Sequence, residues 1–263
     1  MSTAALPGSL AAFGPAALAA VVVAAYLVVG EPVVGQVLHR RFEGRLRSDP
    51  SARRSFYRRL LILEWGLALL ALVIWLAATD VDAASVGLAW PRHWPGPVTW
   101  VLVVVVLFFV LASTRALRSG ALLDMAAPAR RPGEGRHARP PGHAALAVLP
   151  RTARERRLFT VVGVTAGVCE EWLYRGFFLA VVAAAAGGLP TWALVLCAAA
   201  AFGLAHAYQG RSGIVTTGLL GGGMAVMYLQ TGSLLLPVVL HALIDLRFLL
   251  VPAGALPVAG GAR

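Results

Sequence analysis

Apolar residues in this chain come in long, nearly unbroken runs at 10–29, 60–78, 98–112, 158–183, 191–209, 214–230 and 234–251. A helix needs roughly 20 such residues to cross about 30 Å of hydrocarbon. Lipid offers no partner for free backbone N–H or C=O, so each run must be helical. The pattern predicts an all-α fold, a polytopic membrane helix bundle of about seven transmembrane helices.

Composition agrees: 59% of the 263 residues are hydrophobic and 13% charged, which excludes a single water-soluble globule. Cys169 and Cys197 both lie in apolar runs and read as packing residues, not as part of a disulfide framework. Residues 1–9 carry no Lys or Arg, so the first run reads as a retained span and not as a removable signal.

The net charge of +11 comes from 23 arginines against 12 acids, and the arginines cluster between apolar runs. There they meet anionic lipid headgroups and fix topology; no nucleic-acid module or aromatic interleaving accompanies them. Loop 39–59 carries eight arginines against Glu43 and Asp49, and segment 113–157 carries ten against Asp124, Glu134 and Glu155. Both read as cytoplasmic. Loop 79–97 holds Asp80, Asp82 and Arg92, with Trp90, Trp94 and Trp100 around it as an interfacial belt, and reads as external. The N-terminus is then outside and the C-terminus cytoplasmic. Residues 128–142, rich in Pro, Gly and Arg, read as a disordered connector. They separate a three-span region, 1–142, from a four-span core, 143–263.

An ionisable side chain at membrane depth costs at least about 2.5 kcal/mol by insertion scales, so it persists where it is paired or does chemistry. In the first region the acid of note is Glu64, near the cytoplasmic end of its helix and within reach of headgroups. In the core, span four places Glu170 and Glu171 side by side with Arg175 four residues on. Glu171 and Arg175 share a face and form an i, i+4 pair, which leaves Glu170 without a partner in its own helix. Span five carries Phe202 and His206, and span seven His241 and Asp245, both at i, i+4. Three helices thus each offer a polar stripe, at overlapping depths, and a shared site follows. Gly163 with Gly167, and Gly218 with Gly222, are small-xxx-small spacings that allow close helix approach; Gly221 to Gly223 leave span six locally weak.

The ordered set Glu-Glu-x-x-x-Arg (Glu170, Glu171, Arg175), Phe-x-x-x-His (Phe202, His206) and His-x-x-x-Asp (His241, Asp245) resembles the intramembrane endopeptidases grouped as CAAX proteases and bacteriocin-processing or abortive-infection proteins, the CPBP family. Flanking segments add to the likeness: Val86-Gly87-Leu88 before Pro91-Arg92, and Leu149-Pro150-Arg151 with Glu155-Arg156. The resemblance covers about residues 85–250.

It implies peptide-bond hydrolysis within a bacterial plasma membrane, near its cytoplasmic side. Glu170 would activate a water, His206 would hold it, and His241 with Asp245 would stabilise the oxyanion; Glu171, Arg175 and Phe202 would support them. The residues fit independently, since a carboxylate out of water is a stronger base than one in it. Many relatives have Asn where this chain has Asp245, and an ionised carboxylate only accepts hydrogen bonds. Asp245 is then protonated, or orients His241, or ligates a metal. Glu170, His206, His241 and Asp245 are also zinc-ligand types, so a zinc-dependent version stands as an alternative, although His-Glu-x-x-His is absent. No cofactor is obligatory in the favoured reading. The partners expected are a peptide or protein substrate, lipidated or not, and anionic lipids, with no nucleic acid. A proton- or ion-coupled transporter and a non-catalytic membrane scaffold or immunity protein are the competing functions.

Overall fold

The computed structural model describes residues 5–46, 48–91, 93–119 and 143–252. The connector read at 128–142 lies outside the described residues, as do Arg47 and Arg92. The described residues form seven long helical runs, one short helix (His143–Val148) and no strand.

Helix α1 spans Leu10–Arg45 and contains a π-helical turn at Tyr26–Gly30. Then come α2 (Ala52–Leu76), α3 (Pro97–Arg118), α4 (153–186) and α5 (Thr191–Ala205). The last two are α6 (Ala207–Thr231) and α7 (Leu235–Leu246), the latter prolonged by a 3₁₀ turn at Arg247–Leu250. These runs fall where the apolar pattern puts them, and the all-α membrane bundle is the observed fold. Helices α1, α2, α3 and α6 are long and apolar enough to cross a bilayer. Leu18, Phe108 and Leu219, 70–76% exposed, point outward from them as lipid-facing residues do. This is an integral membrane protein.

The helix ends differ from the hydropathy limits. Helix α1 runs on from residue 29 to Arg45, and α2 starts at Ala52 and not at 60, so most arginines of the 39–59 loop stand on helix ends. Hydropathy marks where the apolar stretch stops, whereas arginine stems let a helix continue into the headgroup layer. The remaining turn is closed by Asp49, whose carboxylate accepts from the Ser51 hydroxyl and backbone N–H at 2.7 Å and from Arg45 at 2.5 Å. The Ser51 hydroxyl, its backbone N–H and Arg45 together hold that carboxyl below the usual range.

One buried apolar cluster joins α1 and α2 to α4, α5 and α6. Trp65 and Trp172 tie α2 to α4 by indole hydrogen bonds to Thr165 Oγ1 (3.2 Å) and to the Ala68 carbonyl (3.0 Å). Both glycine pairs lie at helix contacts. A Cβ on Gly167 would come within 3.0 Å of Ala242 Cβ and backbone N and 3.1 Å of the Val238 carbonyl on α7, whereas one on Gly222 would meet Ala199 Cβ at an ordinary 3.4 Å. Gly167→Val should therefore lower the unfolding temperature in detergent by several degrees, corresponding to overpacking of about 1–3 kcal/mol. Gly222→Ala should not. Equal unfolding temperatures for the two variants would contradict the α4–α7 contact.

Candidate active site

Helix α4 opens with a capping box: Thr152 Oγ1 accepts from Glu155 N (3.2 Å) and Glu155 Oε2 from Thr152 N (3.0 Å). Its regular part ends at Glu171, and residues Trp172–Phe177 form a π-helical turn. Such turns are frequent at functional sites. Here it follows directly on Glu170 and Glu171.

Glu171 and Arg175 are both fully buried. Arg175 Nη1 donates to Glu171 Oε1 at 2.9 Å and Nη2 to the Gly221 carbonyl at 3.2 Å. The guanidinium carbon lies 4.2 Å from the centre of the Phe202 ring, a cation–π contact. A Cβ on Gly221 would stand 2.9 Å from Phe202 and 3.1 Å from Arg175 Nη2, so the bare backbone of α6 both makes room for the pair and accepts a hydrogen bond from it.

Glu171 has a second partner that the sequence pattern did not reveal. His241 Nδ1 donates to the same Oε1 at 2.7 Å, across 70 positions of sequence. With Nδ1 committed, His241 Nε2 faces Glu170 Oε2 at 3.8 Å and Asp245 Oδ2 at 4.0 Å. The Phe202 ring stands edge-on to His241, 5.7 Å between centres. Asp245 does not hold the Nδ1 side of His241, since Glu171 does. Nor does Asp245 ion-pair with Arg247, which donates to Ser113 Oγ (3.0 Å) and to the Ile244 carbonyl.

His206 departs from its expected place on the face of a helix running to 209. Helix α5 ends at Ala205, and His206 sits in the bend with φ −95° and ψ 17°. Its ring stays 4.7 Å from Phe202 because Nδ1 donates to the Phe202 carbonyl at 2.9 Å, satisfying an acceptor freed by the helix end. A carbonyl accepts only, so Nδ1 carries the proton and Nε2 of the neutral ring keeps its lone pair.

Glu170, Glu171, Arg175, Phe202, His206, His241 and Asp245 all line one cavity of about 300 Å³. Two acids from the N-terminal region line it too. Glu64 faces this cavity and not the headgroups; one of its carboxylate oxygens is buried with no hydrogen-bond partner. Glu31 was not legible as a site residue because the first apolar run stops before it. The helix continues through Pro32, and the π turn Tyr26–Gly30 carries Glu31 to the cavity wall. A Cβ on Gly30 would lie 2.2 Å from the Tyr26 ring, so glycine lets that ring fold back against the helix.

Residues 154–247 match the family model described as type II CAAX prenyl endopeptidase Rce1-like. This segment is similar to that family. No curated protein and no solved structure matches the chain. All three motifs fall inside the matched segment, so the match covers the residues that carry the resemblance, while the flanks at 86–92 and 149–151 lie outside it.

The Rce1-like segment does not form a preset zinc cage. Zinc sits about 2.0–2.2 Å from each N or O donor of a tetrahedral site, which brings donors to roughly 3.3 Å of one another. Here one His241 nitrogen is taken by Glu171, and the other is 3.8 and 4.0 Å from its two carboxylates. Among the described residues no group of three or more His, Cys, Asp or Glu converges as a metal site.

Proposed function

We propose that the chain is a CAAX-protease-like intramembrane endopeptidase in which Glu170 activates the attacking water. One observation carries this reading: Glu170 Oε2 is buried, has no hydrogen-bond partner, and faces His241 Nε2 across the wall of a cavity that also receives His206. Glu170 takes a proton from water while His206 Nε2 accepts the other O–H and holds the nucleophile. The oxygen bonds to the carbonyl carbon, and the C=O π pair moves onto the carbonyl oxygen. Collapse breaks the C–N bond, and the proton on Glu170 passes to the departing amine.

His241 serves the oxyanion. Nδ1 already donates to Glu171, so Nε2 donates only when the ring is the imidazolium, and the Glu171 carboxylate stabilises that ion. Arg175 holds Glu171 in place through their ion pair. Asp245, beside the same nitrogen, draws the cation towards the cavity. The substrate is a peptide or protein segment, lipidated or not, that enters from the membrane. The arginine-rich helix ends engage anionic lipids and set the N-terminus outside and the C-terminus in the cytoplasm.

Purified protein in liposomes should cut a quenched membrane-segment peptide at one internal bond, located by mass spectrometry, with no accompanying solute or proton flux. Flux without cleavage would favour a transporter. Chelation should leave the rate unchanged; a loss restored by zinc would move the chemistry to the metal-dependent version.

A further inference from the structure

The part of the cavity wall contributed by α1 and α2 is acidic, and nothing in the hydrolytic scheme uses it. Glu31 and Glu64 line it. Glu170, Glu171 and Asp245 line the same cavity, so the acids of α1 and α2 have acidic neighbours there. The two guanidinium groups at the cavity are spent elsewhere: Arg175 on Glu171 and the Gly221 carbonyl, Arg247 on Ser113 and the Ile244 carbonyl. His241 is bound by Glu171.

A second, independent feature points to a ligand. Tyr174 on α4 is 3% exposed and lines the cavity, yet its hydroxyl has no hydrogen-bond partner. Of the charged groups around that hydroxyl, Glu31 acts on it most strongly. A buried phenol without a partner is costly, and Tyr174 both donates and accepts: its O–H can turn to a carboxylate of the chamber while its oxygen stays open to a donor. Two carboxylates with that phenol oxygen suit a hydrogen-bonding cation that donates to all three.

Resting on the endopeptidase reading, we propose that Glu31, Glu64 and Tyr174 form a subsite for a basic side chain, Lys or Arg, of the substrate segment close to the bond that is cut. The aliphatic stem crosses the apolar wall at Leu27 and Leu67 while the head reaches the acids.

Recognition is tested apart from hydrolysis. Binding of fluorescent membrane-segment peptides with Lys, or with uncharged norleucine of similar length, at each position around the cleaved bond is measured on the full-length Glu170→Gln protein in detergent micelles. Lys at one position should bind at least tenfold more tightly than norleucine. That ratio should fall to near one when Glu31→Gln and Glu64→Gln are added, and should narrow with Tyr174→Phe. Equal binding of Lys and norleucine peptides, or a ratio that the Glu31 and Glu64 changes leave intact, overturns the subsite. The same peptides given to the wild-type enzyme keep the two readings apart. Cleavage without a Lys preference sinks the subsite alone, whereas Lys-selective binding without any cleavage sinks the endopeptidase and leaves the subsite.

Discussion

Glu170→Gln should leave the unfolding temperature and the elution volume of the detergent-solubilised protein at wild-type values and lower the turnover of a cleavable peptide by about 10³-fold. The substituted side chain keeps its size and its hydrogen-bonding oxygen but loses the ability to take a proton from water, and general-base catalysis of this kind contributes roughly 10²–10⁴-fold. The structure makes the test clean. Glu170 is bonded to nothing that holds the fold, its Oε2 being without a hydrogen-bond partner and its nearest ionic neighbour, His241, 3.8 Å away. Residual turnover within tenfold of wild type, measured as peptide cleavage in liposomes, would remove Glu170 as the base. The effect should appear in kcat with little change in KM, because the group acts on the water and not on the bound chain.

Arg175→Leu should be the most destabilising single change in the bundle, by about 3–5 kcal/mol, because it leaves the fully buried Glu171 carboxylate without its cation. The remedy is informative. Glu171→Leu combined with Arg175→Leu removes both charges from the apolar interior, and replacing a buried pair by apolar residues is often neutral or stabilising. The double variant should therefore unfold at a higher temperature than Arg175→Leu alone. It should stay inactive, since His241 then has nothing on Nδ1 to fix its ring or support its charge. Stability recovered and activity lost together in one variant would separate the ion pair's structural work from the carboxylate's hold on His241. An Arg175→Leu protein as stable as wild type would contradict the buried pair.

The motifs make much of this site legible from the sequence alone. The i, i+4 spacing of Glu171 and Arg175 was enough to pair them, because helix geometry brings such residues together wherever the helix lies. The same spacing put Phe202 beside His206, although the helix ends at Ala205 and a ring-to-carbonyl hydrogen bond preserves the contact. The paired glycines imply close approach, and the structure shows against what: Gly167 on the α7 backbone and Gly218 on the Ala199 carbonyl of α5. Illegible were the bonds between helices. Glu171 looked fully explained by Arg175, yet the same oxygen also holds His241 from seventy positions away. Glu64 looked like a headgroup anchor and turns to the cavity instead. Glu31 is illegible because the apolar run stops before it.

The sequence by itself determined that this chain lies in a membrane as a helical bundle, and that its costly charges gather in the last four crossings in the order of a known protease family. Both follow from local arithmetic: the apolar length needed to cross lipid, and residue spacing along a single helix. Only the tertiary structure decided which nitrogen of His241 faces the cavity, that Glu171 fixes it, and that the first two helices bring a second acidic wall to the same chamber. Those depend on the rotation and depth of one helix against another, which are set by glycine contacts and π turns that no periodicity records.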